Sequence, residues 1–80
     1  MPKSPDAEKT ILATIQVLLE RRGVVGVEVR SHSKLSGDLG LDSLELAELS
    51  AVLEDDLGRD PFSSGVPPRT VGDVVGFYRP

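Results

Sequence analysis

Apolar residues recur at helical spacing in three stretches of this chain. From Ser4 to Arg21, the residues Ile11, Leu12, Ile15, Leu18 and Leu19 line one face of a predicted helix. Ser4 is placed to cap it, with Pro5 at the first helical position, where a missing N–H is no loss. Asp6 and Glu8 then sit near the positive end of the helix dipole, Arg21 and Arg22 near the negative end, and Gly23 closes the helix. A second helix is predicted from Asp42 or Ser43 to Leu57, with Leu46, Leu49, Leu53 and Leu57 as its buried stripe. Asp42 as cap and Glu45 three residues on make a capping-box pair, and Gly58 ends the helix. Thr70 caps a short last helix with Asp73 at its third position and Val71, Val74, Val75 and Tyr78 as its apolar face. Gly72 and Gly76 lower its helix propensity, and their i, i+4 spacing permits a close backbone approach from a neighbour.

The segments between these helices are harder to place. Val25, Val27 and Val29 alternate with Gly26, Glu28 and Arg30 in a strand pattern. The chain offers no second strand, and a lone one leaves its backbone unpaired. An extended loop is therefore expected, pressing Val27, Val29 and Leu35 against the helices, with Ser31, His32 and Ser33 in a turn. Asp60 to Arg69 holds Pro61, Gly65, Pro67 and Pro68 and reads as loop, with one helical turn near Ser63–Gly65. Of Phe77 and Tyr78, one is expected in the core and one at its boundary. The expected fold is all-α: a single domain over residues 1–80, an up-and-down bundle of three main helices plus a short third element. A long loop joins its first and second helices. A chain this short buries only about 60% of its unfolded surface, so that core must be economical.

Composition narrows the chemistry. With 39% apolar and 28% charged residues the chain is too apolar to remain disordered. It has no Cys, which excludes disulfides, thiolate metal sites and a sulfur nucleophile of its own. Apolar runs are a few residues long, and Met1 to Asp6 lacks the apolar stretch of a leader, so a cytoplasmic protein with no membrane span is expected. Net charge is −4, yet its placement matters more. Asp38, Asp42, Glu45, Glu48, Glu54, Asp55 and Asp56 form a block free of Lys and Arg, while the rest of the chain is net basic. Phosphate binding needs clustered cations, so nucleic acid is an unsuitable partner; a protein with a basic docking surface suits the block better. His32 is the single histidine, without the companions needed for a metal or a triad, and reads as a surface turn residue. Asp38, Asp42 and Glu45 lack the ligand pattern of a calcium loop. Asp55 and Asp56 lack an apolar pocket that would suit them to acid–base work. No metal site and no catalytic residue is expected.

One stretch remains: Gly37-Asp38-Leu39-Gly40-Leu41-Asp42-Ser43-Leu44. Ser43 opens the acidic helix, where its hydroxyl can face solvent beside N–H groups that the helix leaves unpaired. A phosphodiester attached there is favoured by those donors and by the dipole. Serine is also common at helix starts for structural reasons alone, and the residues by themselves leave both readings open.

Asp38-Leu39-Gly40-Leu41-Asp42-Ser43-Leu44, continued by Glu45-Leu46-Ala47-Glu48-Leu49, resembles the 4′-phosphopantetheine attachment motif of acyl carrier proteins. The similarity extends over most of the chain: a first helix, a long loop, the motif helix, a short third element and a last helix. It implies that a phosphopantetheinyl transferase moves the arm of coenzyme A onto Ser43, and that the arm's thiol carries acyl or aminoacyl groups as thioesters. It also implies that Asp42, Leu44, Glu45, Ala47, Glu48 and Ala51 form a face read by the transferase, by loading ligases or transferases, and by synthase and tailoring enzymes. Asp55 lies beside the shallow patch left by Ala47 and Ala51. Gly-Leu-Asp-Ser is closer to acyl carriers than to peptidyl carriers, which usually show Gly-Gly before His/Asp-Ser. The charge of −4 is milder than in most carriers of fatty-acid synthesis, and Ala51 replaces a larger aliphatic residue. Pro67-Pro68 interrupts the third-helix region. Together with a start at Met1, these features imply a freestanding, monomeric carrier of polyketide or related specialised biosynthesis. The alternatives are an aminoacyl or peptidyl carrier loaded by an adenylating ligase and, from another class, a small helical adaptor with no prosthetic group.

Overall fold

The computed structural model describes residues 7–63 and 65–78. Three α-helices follow one another, α1 (Ala7–Arg21), α2 (Ser43–Leu57) and α3 (Val71–Phe77), with a single 3₁₀ turn at Pro61–Ser63 between the last two. The all-α expectation holds, and no strand forms among the described residues. The proposed cap Ser4, with Pro5 and Asp6, lies outside the described residues.

α1 is the central element and packs against both α2 and α3. It buries Ile11, Ile15, Leu18 and Leu19, with Leu12 half-buried at the edge. Its end is set locally. Gly23 takes φ +81°, its N–H donates to the Glu20 carbonyl at 2.9 Å, and the Val24 N–H reaches back to the Leu19 carbonyl at 2.9 Å. This paired closure satisfies carbonyls the helix leaves over and turns Val24 down onto the core.

A second glycine turn follows at Gly26 (φ +75°), and the expected loop packing is corrected at Val27, the residue next to that turn. A positive φ breaks the two-residue alternation, so the side-chain parity of a strand does not carry through it. Val24 and Val29 pack on the core, whereas Val25 and Val27 face solvent. Leu35 is buried as expected, joined by Leu39 and Leu41. The loop also finds backbone partners at the start of α3. Lys34 and Thr70 form an isolated antiparallel bridge, in which the Leu35 N–H donates to the Arg69 carbonyl (2.9 Å) and the Val71 N–H to the Ser33 carbonyl (3.0 Å). Ser33, in the expected turn, is buried, and its hydroxyl accepts the Arg30 N–H at 3.0 Å.

α2 buries Leu49 and Leu53 completely and Leu46 and Leu57 in part, then stops at Gly58 with φ +81°. The 3₁₀ turn falls earlier than Ser63–Gly65, because Asp60 organises it. The Asp60 Oδ1 accepts the Phe62 N–H at 2.9 Å, and its carbonyl accepts the Ser63 hydroxyl at 3.0 Å. Ser64, part of the predicted turn, lies outside the described residues. α3 begins at the Thr70–Asp73 capping box and buries Val71, Val74 and Val75. The permitted close approach is made at Gly72, where a Cβ would stand 2.9 Å from the Ser31 carbonyl oxygen. It is absent at Gly76, which has nothing within 4 Å of that position. Neither Phe77 nor Tyr78 is fully buried. Tyr78 packs on the core and donates its hydroxyl to the Arg59 carbonyl at 2.6 Å, while Phe77 lies beneath the Arg59 guanidinium, 4.5 Å from the ring centre. Among the described residues no helix is long and apolar enough to cross a membrane.

Candidate functional site

Ser43 is the first residue of α2, immediately after the cap. The Asp42 Oδ1 accepts the Glu45 N–H at 2.8 Å, and the Glu45 Oε1 accepts the Asp42 N–H at 3.0 Å. The Leu46 N–H goes to the Asp42 carbonyl at 2.9 Å. The N–H groups of Ser43 and Leu44 are the donors this arrangement leaves for an incoming acceptor. The Ser43 side chain is exposed, and among the described residues its hydroxyl has no hydrogen-bond partner.

The turn before the cap holds Ser43 outward. Leu39 and Leu41 are buried on either side of Gly40, which takes φ +72°. The Gly40 N–H donates to the Ser36 carbonyl and the Leu41 N–H to the Leu35 carbonyl, both at 3.0 Å. Asp38 closes the segment from below, its Oδ2 accepting the Lys34 N–H at 2.8 Å. Two anchored leucines therefore fix the chain on which Asp42 and Ser43 ride.

Of the other residues singled out in the sequence, Leu44, Ala47, Ala51 and Asp55 lie exposed along one face of α2. Leu44 is 76% exposed, whereas the other leucines of α2 are buried or half-buried. Glu45 is not free. Its side chain is only 14% exposed, and its Oε2 pairs with the Arg22 Nε at 3.1 Å. Glu48, half-buried, pairs with the Arg21 Nη1 at 2.6 Å. Sequence reasoning placed both arginines only as dipole partners at the end of α1. For Arg21 that second role joins residues 27 positions apart, Arg22 likewise reaches far along the chain to Glu45, and no local signal encodes either pairing.

An open groove of about 420 Å³ is walled by Leu35, Leu46, Pro68, Lys34, Arg69 and Asp73 among others. Leu46 lies one turn along α2 from Ser43. The Asp73 carboxyl at the far wall is held below its ordinary pKa, first by the Arg69 N–H and then by the Thr70 N–H, which both donate to its Oδ2. An exposed primary hydroxyl, free amide donors next to it and a partly apolar groove walled by Leu46 together fit a phosphodiester-linked linear arm. Ser43 would bear the ester, the Ser43 and Leu44 amides would face its phosphate, and the groove would lie along its chain.

Among known proteins, residues 10–66 match the model of the family described as the phosphopantetheine attachment site. No solved structure matches the chain. The match takes in most of α1, the loop, the whole Asp-Ser-Leu segment and all of α2, so this chain belongs to the phosphopantetheine attachment-site family, the carrier domains to which 4′-phosphopantetheine is covalently bound.

Proposed function

We propose that Ser43 is the attachment residue and that the protein is a non-catalytic acyl carrier serving polyketide or related specialised biosynthesis. The observation that carries this reading is the exposed Ser43 hydroxyl, unpartnered among the described residues, at the first position of α2, inside the region matched to the family. In the transferase reaction the Ser43 Oγ forms a new ester bond to a phosphorus of coenzyme A as the bond to the adenosine 3′,5′-bisphosphate half breaks. The hydroxyl proton leaves to a base of the transferase. The attached arm supplies a thiol for thioester formation; the protein's part is display and docking.

Docking is proposed for the α2 face bearing Asp42, Leu44, Ala47, Glu48, Ala51 and Asp55, with Glu45 behind it. Leu44 offers a small apolar anchor. Asp55 and Asp56 have no ion pair among the described residues and would steer partners with basic surfaces. The Gly-Leu-Asp-Ser lead-in supports an acyl rather than a peptidyl carrier, and Ala51, in place of a larger aliphatic residue, supports a partner set other than that of fatty-acid synthesis.

The test is an intact-mass measurement after incubation with coenzyme A and a promiscuous phosphopantetheinyl transferase. One phosphopantetheine should add to the wild-type protein and none to Ser43→Ala. A wild-type mass unchanged under conditions that convert a control carrier would favour a helical adaptor instead.

A further inference from the structure

From the contacts at the end of α1, we infer that Arg22 is a positioning residue for arm attachment, clamping the turn that presents Ser43. This rests on Ser43 being the attachment point. The Arg22 Nη1 donates to the Gly40 carbonyl at 2.7 Å, and its Nε meets the Glu45 Oε2 at 3.1 Å. The same Glu45 carboxylate uses its other oxygen to accept the Asp42 N–H. One guanidinium thus ties the residue that turns the chain before Asp42-Ser43 to the residue that caps the helix after it. The planar fork suits this double duty, since it offers several fixed donors at once.

The packing of Gly40 agrees. Its positive φ is a conformation that L side chains rarely adopt, and a Cβ there would come within 3.2 Å of the Arg22 Nη1. Arg22 therefore lies directly against the turn. Its side chain is 37% exposed and that of Glu45 14%, so the contact is shielded more than an ordinary surface pair. Arg30, by contrast, pairs among the described residues with Glu28 on the exposed loop, at 2.6 Å, and supplies a control of equal charge.

Transfer onto Ser43 requires its oxygen to be held in line with a phosphorus, and small misplacement of a reacting group lowers the rate steeply. Arg22→Ala is expected to lower the kcat of phosphopantetheine transfer by roughly three- to tenfold with little change in KM for the carrier. Arg22→Lys, which keeps the charge but lacks the rigid planar fork, should recover part of the loss. Glu45→Gln keeps an oxygen for the Asp42 N–H but loses the charge opposite Arg22, and it should also slow transfer. Arg30→Ala should leave the rate unchanged. Independently of any transfer, the Gly40 carbonyl ¹³C resonance should shift in Arg22→Ala and stay in place in Arg30→Ala.

Equal slowing by Arg22→Ala and Arg30→Ala, removed by salt, would mean that charge and not position is at work, and the inference fails. It also fails if Arg22→Ala keeps the wild-type kcat or an unmoved Gly40 carbonyl. Absence of transfer to the wild-type protein, or transfer to Ser43→Ala, is a different failure: it sinks the attachment reading and the positioning role falls with it.

Discussion

Gly72 and Gly76 sit four residues apart on α3, yet replacing each by alanine should move stability in opposite directions. Alanine is favoured over glycine within a helix by about 0.8–1.0 kcal/mol, and that gain applies to both sites. Gly76 has open space where the methyl would go, with nothing inside 4 Å. Gly76→Ala should therefore stabilise the protein by up to about 1 kcal/mol, a rise in Tm of about 4–8 °C for a domain of this size. At Gly72 the methyl would stand 2.9 Å from the Ser31 carbonyl oxygen and 3.4 Å from the Ser31 Cβ. That oxygen cannot withdraw freely, because it accepts the Gly72 N–H at 2.7 Å and belongs to the stretch paired with residues 69–72. Forcing a methyl into such a contact costs about 1–3 kcal/mol. Propensity cancels between the two variants, so their difference isolates the clash. Gly72→Ala should be less stable than Gly76→Ala by about 1–3 kcal/mol. Urea unfolding followed by far-UV circular dichroism measures this directly, with the slope checked for constancy. Coincident midpoints, or a higher midpoint for Gly72→Ala, would refute the packing of the Ser31 turn onto α3.

Tyr78 is the single tyrosine, and burial, reinforced by the negative charge of Asp60, pushes its hydroxyl up to about 12. A folded-state value above the ordinary 10 means that its contribution to stability is complete below pH 10 and is lost as pH rises from there through about 12; a phenolate absorbance titration with a midpoint near 10 in the folded protein would contradict this. Leu44 and Leu49 separate surface from core on one helix: Leu44→Ala should change stability by less than about 0.5 kcal/mol while slowing transfer to Ser43, whereas Leu49→Ala should cost about 2–5 kcal/mol in the same unfolding assay. Equal destabilisation by the two, or transfer to Leu44→Ala at the wild-type rate, would count against the exposed leucine as an anchor.

Helix ends were the most legible feature of the chain. Asp42 with Glu45, Thr70 with Asp73, and the stop glycines Gly23 and Gly58 all act within one turn of themselves, so the donors and acceptors they satisfy are their near neighbours in sequence. The buried stripes of α1, α2 and α3 were legible for the same reason, since helical periodicity places them before any packing occurs. Ser43 at the start of α2 follows from the cap beside it.

The loop was only half legible. Its alternating valines suggested one buried parity, but beyond the turn at Gly26 only Val29 reaches the core, and Val27, next to that turn, stays outside. Its backbone partners lie more than thirty residues away, at the start of α3, where no strand pattern advertises them. The acids of α2 were read as open to partners, whereas Glu45 and Glu48 are already met by Arg22 and Arg21.

The sequence by itself therefore determined which segments are α-helices, where α2 and α3 start, where α1 and α2 stop, and which hydroxyl stands at the head of α2, because each of these rests on contacts a few residues apart. Tertiary structure alone decided which loop side chains reach the core, which glycine is pressed against a carbonyl, and how much of the acidic face remains uncompensated. Those outcomes depend on α1 crossing both other helices, which brings distant residues within bonding range, and no local pattern specifies that meeting.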